Sequence, residues 1–149
     1  ILPFLREEGL FASENLSSSD RQWITGFTAA IKEKISNLSQ AKEFIPYFAG
    51  TEKFPLDSEA KEIMRKDTVP TVLDLFRRKA LSSSQLDSPT VKTILKEIGQ
   101  ELNLKGKDIF MPVRIALTGR MHGPDLDRIV SLLGIENVVA RLEQEERGK

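Results

Sequence analysis

The sequence predicts an all-α protein, a two-lobed helical assembly with no sheet. Three observations carry that reading. Apolar residues recur at three- and four-residue spacing through most of the chain, the period of a helix with one buried face. No stretch shows sustained period-two alternation bounded by turn residues, as a half-buried strand would. Between the apolar runs stand Ser, Asp and Pro in the order that opens helices.

Ser19 and Asp20 precede Trp23, Ile24, Phe27, Ala30, Ile31 and Ile35, which predicts a helix of about four turns with a Ser or Asp cap. Ser36-Asn37 interrupt it, and Leu38, Ala41, Ile45 and Phe48 form a second helix closing at Ala49-Gly50. So short a connection should leave the two side by side, apolar face to apolar face. Phe54-Pro55 mark a break and Asp57-Ser58 a new cap, before a short helix through Ala60, Ile63 and Met64. Thr68-Val69-Pro70 open the next, which carries Val72, Leu73, Leu75, Phe76 and Leu81. Proline is tolerated there because a first-turn N–H has no intrahelical partner anyway. A serine-rich loop follows, then Asp87-Ser88-Pro89 start the helix of Val91, Ile94, Leu95, Ile98 and Leu102. Three more helices are expected at 107–118, 124–133 and 135–147. A boundary near Gly50–Asp57 divides the chain into lobes 1–54 and 55–149, the first so small that it should lean on its neighbour.

Lys+Arg and Asp+Glu balance at 22 each, so no bulk field pulls the chain to nucleic acid or membrane, and local placement of cations decides any RNA binding. Between Lys105 and Arg128 five basic residues face three acidic ones, a slight local excess. There is no cysteine, which removes disulfides and thiolate metal sites and suits a reducing compartment; the localisation expected is cytoplasmic. No run approaches the roughly 20 apolar residues of a membrane span. Ile1-Leu2-Pro3-Phe4-Leu5 reads as the interior of something longer, so the chain is expected to be part of a larger protein.

Catalytic chemistry is hard to place. His122 is the only histidine, which excludes a multi-histidine metal site and leaves no other residue to serve a His-based triad; on a polar hinge it reads as a solvated loop residue or an RNA contact. No Walker loop and no GxGxxG is present. Glu7-Glu8 and the Glu143–Glu146 tail read as solvated helix faces. Arg77-Arg78-Lys79 sit in a C-terminal turn, where cations favour the helix dipole. Trp23 and the phenylalanines fall at core spacing. No catalytic residue, metal ligand or bound cofactor is expected in this chain.

Arg114 differs from these. It stands inside the apolar helical run Phe110-Met111-Pro112-Val113-Arg114-Ile115-Ala116-Leu117. Burying a guanidinium without a partner is costly, so it should reach a carboxylate (Asp108 or Asp125), a lobe edge or a ligand. After the run comes the hinge Gly119-Arg120-Met121-His122-Gly123-Pro124, where Gly and Pro before a helix give close backbone approach and free N–H groups.

That run, followed by Thr118-Gly119, the Gly-Pro step and Leu132-Leu133-Gly134, resembles the end of the anticodon-binding region of bacterial-type glutamyl-tRNA synthetases. Ile1-Leu2-Pro3-Phe4-Leu5 through Gly9-Leu10 is similar to the start of the same region. The two nucleotide-binding signatures of class I synthetases do not occur. The resemblance therefore implies anticodon recognition and tRNA docking for glutamate–tRNA ligation, with ATP and magnesium handled in a catalytic domain that this chain does not contain. It implies a glutamate-accepting tRNA and the remaining synthetase domains as partners, with no DNA and no membrane. The family's arginine in the Pro-x-Arg-x-Ala-Leu-Thr-Gly segment contacts anticodon bases, which points to Arg114. The Gly-Pro hinge and the following leucine add Gly123, Pro124 and Leu126. Arg120 and His122 are further candidate RNA contacts. Some members carry threonine where this chain has Gly123, so contact there would come from the backbone.

Members restricted to glutamate tRNA resemble one another in an arginine near the end of the long first-lobe helix; the matching position here, within one residue, is Lys34. Lysine keeps the charge but lacks the planar fork, implying weaker discrimination of cytosine from guanine. Read as an ordinary surface residue, Lys34 is a solvated cation at a helix C-terminus. The competing functional reading for the whole chain is a helical protein–protein interaction module with no RNA binding, which would need a contiguous apolar surface.

Overall fold

The computed structural model describes residues 6, 11, 16–37, 40–48 and 56–147, without the side chains of 41, 42 and 144–147. Seven helices stand in it: α1 (Ser18–Ile31), α2 (Ala41–Phe48), α3 (Ser58–Met64), α4 (Val69–Ser82), α5 (Ser88–Leu102), α6 (Gly106–Thr118) and α7 (Leu126–Arg147). No strand occurs among the described residues. The protein is all-α, and none of these helices is long and apolar enough to cross a membrane.

The caps explain most of the boundaries. Asp57 and Asp87 accept from the N–H groups of Ala60 and Thr90, satisfying orphan donors of α3 and α5. At α1 the cap is Ser17, not Ser19 or Asp20. Its hydroxyl accepts from the Asp20 N–H while the Asp20 carboxylate accepts from the Ser17 N–H, both at 3.0 Å. This reciprocal capping box needs an acceptor three residues after the cap, so the first of the three serines wins. The helices expected at 124–133 and 135–147 are the two halves of α7, parted at Gly134, whose φ of 80° and ψ of 165° are not helical. Carbonyls left without helical donors at that break are taken by side chains: Leu133 by the Asn137 amide at 2.9 Å, Leu132 by the Trp23 indole N–H at 2.9 Å.

α7 is the hub. It packs against α1, α2, α4, α5 and α6, while α3 lies against α6. One contiguous core joins Phe27, Ile31, Ile45 and Phe48 of α1 and α2 to Val72, Phe76, Ile98, Val113, Leu117, Ile129 and Leu142. Burying each large side chain of this kind contributes about 1.5–3 kcal/mol. α1 and α2 meet through Phe27 and Phe48, edge to face at 5.3 Å, as the short connection predicts. Trp23 stacks on Phe27 at 5.2 Å, so both belong to packing. A second, small cluster of Ala60, Met111 and Ile115 joins α3 to α6 and takes in Met121 from the loop beyond. The lobe boundary expected between 54 and 55 lies outside the described residues.

Candidate nucleic-acid interface

α6 is buried on nearly every side of its second half: Met111, Val113, Ile115, Ala116, Leu117 and Thr118 are all 9% exposed or less. Arg114 is the half-buried exception. Its Nη1 donates to the Pro124 carbonyl at 2.8 Å, closing the α6–α7 hinge. Burial pushes the guanidinium pKa down, and the charge of Asp125 opposes that shift. Neither expected carboxylate pairs with it. Asp108 faces Lys66 at 3.6 Å and Asp125 faces Arg128 at 3.9 Å. A backbone carbonyl therefore anchors one Nη and leaves the guanidinium its remaining donors.

The hinge is built around that anchor. Gly119 ends α6 in the left-handed region, its N–H reaching the Ile115 carbonyl at 2.7 Å. The buried Thr118 hydroxyl donates to the Arg114 carbonyl at 2.8 Å and accepts from the Arg120 N–H at 3.1 Å. Arg120 Nη1 also reaches the Gly119 carbonyl at 3.2 Å. Gly123 has a φ of 153°, a conformation side chains rarely adopt, and a Cβ there would stand 3.7 Å from Arg114 Nη1. Pro124 is buried and Leu126 is 6% exposed within the core. His122 and Arg120 are exposed.

Such an arrangement suits single-stranded RNA. Splayed bases can stack on a flat guanidinium and be read on their Watson–Crick edges, and a hinge without side chains lets them approach the backbone. Residues 1–145 match the family described as an anticodon binding domain. The chain belongs to that family. Over 141 residues this anticodon-binding domain is 46% identical to the glutamate–tRNA ligase of Desulfitobacterium hafniense, covering 95% of the chain and 29% of that relative. Over 142 residues it is 34% identical to glutamate–tRNA ligase 1 of Caldicellulosiruptor saccharolyticus, again covering 95% of the chain and 29% of the relative. The chain thus spans under a third of the length of these curated relatives. Its fold resembles a crystal structure of the glutamate tRNA ligase of Elizabethkingia meningosepticum in complex with its amino acid, with a TM-score of 0.79 at 17% identity, over 96% of this chain and 27% of that one.

Of the residues singled out in the sequence of the anticodon-binding domain, the structure brings Arg114, Gly123 and Pro124 into one contact. Leu126 lies two residues beyond Pro124, its side chain buried in the core and so supporting the hinge from within. Lys34 stands on a different element. It lies exposed in the turn after α1, its N–H on the Ile31 carbonyl at 2.8 Å, with no ion pair among the described residues. The triplet after Leu75-Phe76 is engaged in protein contacts: Arg77 and Arg78 both meet Asp74 at 2.9 Å. Lys79 lies between Glu101 and Glu97, whose hydrogen bonds raise its pKa.

Sequence reasoning missed Arg141. It is 2% exposed and donates to the carbonyls of Leu117 and Pro46, both at 2.7 Å. Its surroundings, Arg141-Leu142-Glu143, read as an amphipathic tail, and no local signal marks carbonyls so distant in sequence. Thr118 was visible only as part of the Ala-Leu-Thr-Gly segment.

Proposed function

We propose that this domain reads the anticodon of a glutamate-accepting tRNA for a glutamate–tRNA ligase. Its contribution is recognition and docking. Glutamate and ATP with magnesium would react in other domains of the enzyme, in the cytoplasm. The observation that carries the reading is Arg114: a half-buried arginine, tied by one Nη to a hinge carbonyl 2.8 Å away, with no carboxylate partner to account for it. A guanidinium held on one side and open on the other is a preset planar donor. Gly123 beside it offers backbone without a side chain, and Arg120 and His122 border the same loop. Curated relatives named glutamate–tRNA ligases support the identity of the tRNA. Lys34, a second cation on the α1 side, would bias the third anticodon base toward cytosine, whose O2 and N3 accept hydrogen bonds.

Among the described residues the only large exposed apolar side chain is Leu81, 53% exposed; the contiguous apolar surface that a protein-docking module needs is not among them. The test is a mobility-shift titration with a glutamate anticodon stem-loop and with the same stem carrying an unrelated loop. Tight binding to the first only is expected, and equal binding to both would refute anticodon reading.

A further inference from the structure

Arg141 has no part in the surface just described, yet it is among the most buried large side chains of the protein. Its guanidinium joins two helix ends. Nη2 donates to Pro46 and Nη1 to Leu117 at 2.7 Å each, and Nη1 also lies 3.4 Å from the Tyr47 carbonyl. α2 ends at Phe48 and α6 at Thr118, so all three acceptors belong to last turns, where carbonyls lack intrahelical donors and the helix dipole is negative. One rigid fork thus satisfies orphan carbonyls of two separate helices.

The bonds continue on either side. Leu117 precedes Thr118, whose hydroxyl holds the Arg114 carbonyl, and Arg114 holds Pro124. On the other side α2 packs on α1 through Phe48 and Phe27, and Lys34 lies in the connection between those helices. We infer that Arg141 is a positioning residue for RNA reading: it fixes the spacing between the Lys34 turn and the Arg114 hinge before RNA arrives. This rests on the anticodon-reading proposal. It adds that the two cations act as a preset pair, because affinity rises when contact groups need not be ordered on binding.

Arg141→Lys tests it. An ammonium keeps the charge but lacks the planar fork that spans two diverging carbonyls, so α2 and α6 are no longer held in register. Affinity for the glutamate anticodon stem-loop, measured well below the melting temperature, should fall by about five- to tenfold. In a Lys34→Ala background the same change should cost under about twofold, since spacing matters only when both arms touch RNA. Val91→Ala, a core change in α5 away from these bonds, also lowers stability and should leave affinity unchanged. Wild-type affinity in folded R141K, or an undiminished loss in the Lys34→Ala background, overturns the inference. If R141K does not fold, the native protein decides by nitrogen-15 NMR of arginine side chains. The Arg141 guanidinium should be rotationally locked in the free protein; locking only on addition of RNA overturns the inference. Should Arg114→Ala and Lys34→Ala each bind as wild type, the reading surface itself is wrong, an outcome distinct from failure at Arg141.

Discussion

Arg114→Ala separates recognition from architecture at a single side chain. In the free protein the substitution removes one charge-assisted hydrogen bond, 2.8 Å to the Pro124 carbonyl, of a kind worth about 1.5–3 kcal/mol. Two effects reduce that loss. The guanidinium is half-buried and so partly desolvated, which lowers its pKa, and deleting it removes that cost. The space it leaves borders solvent, so water can reach the abandoned carbonyl. No carboxylate is stranded, so the 3–5 kcal/mol expected for breaking a buried ion pair does not apply. The net destabilisation should be about 1–2 kcal/mol, or about 2–8 °C in Tm for a chain of this size. Binding to the anticodon stem-loop should weaken by about 1–3 kcal/mol, some 5- to 150-fold. Calorimetric melting and fluorescence-anisotropy titration of the same preparation provide both numbers. Unchanged affinity alongside a lowered Tm would make Arg114 a hinge clasp only, and the reading built on it would fall.

Three further outcomes follow from named contacts. Gly123→Ala should cost about 1–3 kcal/mol from the positive φ alone, since its Cβ has room at 3.7 Å from Arg114 Nη1; a melting temperature equal to wild type would show that the hinge relaxes freely. Lys34→Arg should sharpen the preference for an anticodon ending in cytosine over one ending in guanine, and equal affinities of wild type and variant for the two stem-loops would end the discrimination claim. Asp87 has its pKa lowered from 3.8, chiefly by its hydrogen bonds from the Thr90 hydroxyl and N–H. A depressed folded pKa gives stability that is present above 3.8 and lost as pH falls through the folded value. Melts at pH 7 and in acid should therefore show wild type losing more than Asp87→Asn, which caps equally well without titrating; parallel losses would contradict the linkage.

How much of this was legible depended on how local the determinant is. Caps and breaks are read within four residues of themselves, so Asp57, Asp87, Pro70, Pro89 and Gly134 announced their helices. Even at α1 the reading erred by two residues, because three consecutive serines compete and only the reciprocal bond with Asp20 chooses among them. Arg114 was conspicuous as a charge in an apolar run, but its partner was not. The sequence offers Asp108 and Asp125 as carboxylate partners, whereas the acceptor is a main-chain carbonyl, which every residue possesses and no sequence pattern distinguishes. Arg141 was hidden for the same reason twice over: its acceptors are carbonyls, and they arrive from helices widely separated along the chain. The boundary between lobes was read from Pro and Gly and lies outside the described residues, while the bond that ties α1 to α7, from the Trp23 indole to the Leu132 carbonyl, joins residues 109 positions apart that no local pattern pairs.

That last bond has a practical side. Trp23 is the only tryptophan, half-buried, stacked on Phe27, tilted against Phe11 at 5.5 Å, and donating its indole N–H to the Leu132 carbonyl, two residues before the Gly134 break. The protein's tryptophan emission, excited selectively over that of Tyr47, therefore comes from a single chromophore placed at the joint between its first described helix and its last. A red shift would report water replacing the Leu132 carbonyl as the joint parts, while events confined to the hinge at Gly123 and Pro124 would pass in the dark. One fluorimeter trace, followed through a denaturant or RNA titration, can thus tell the opening of the helical framework from a local response of the loop.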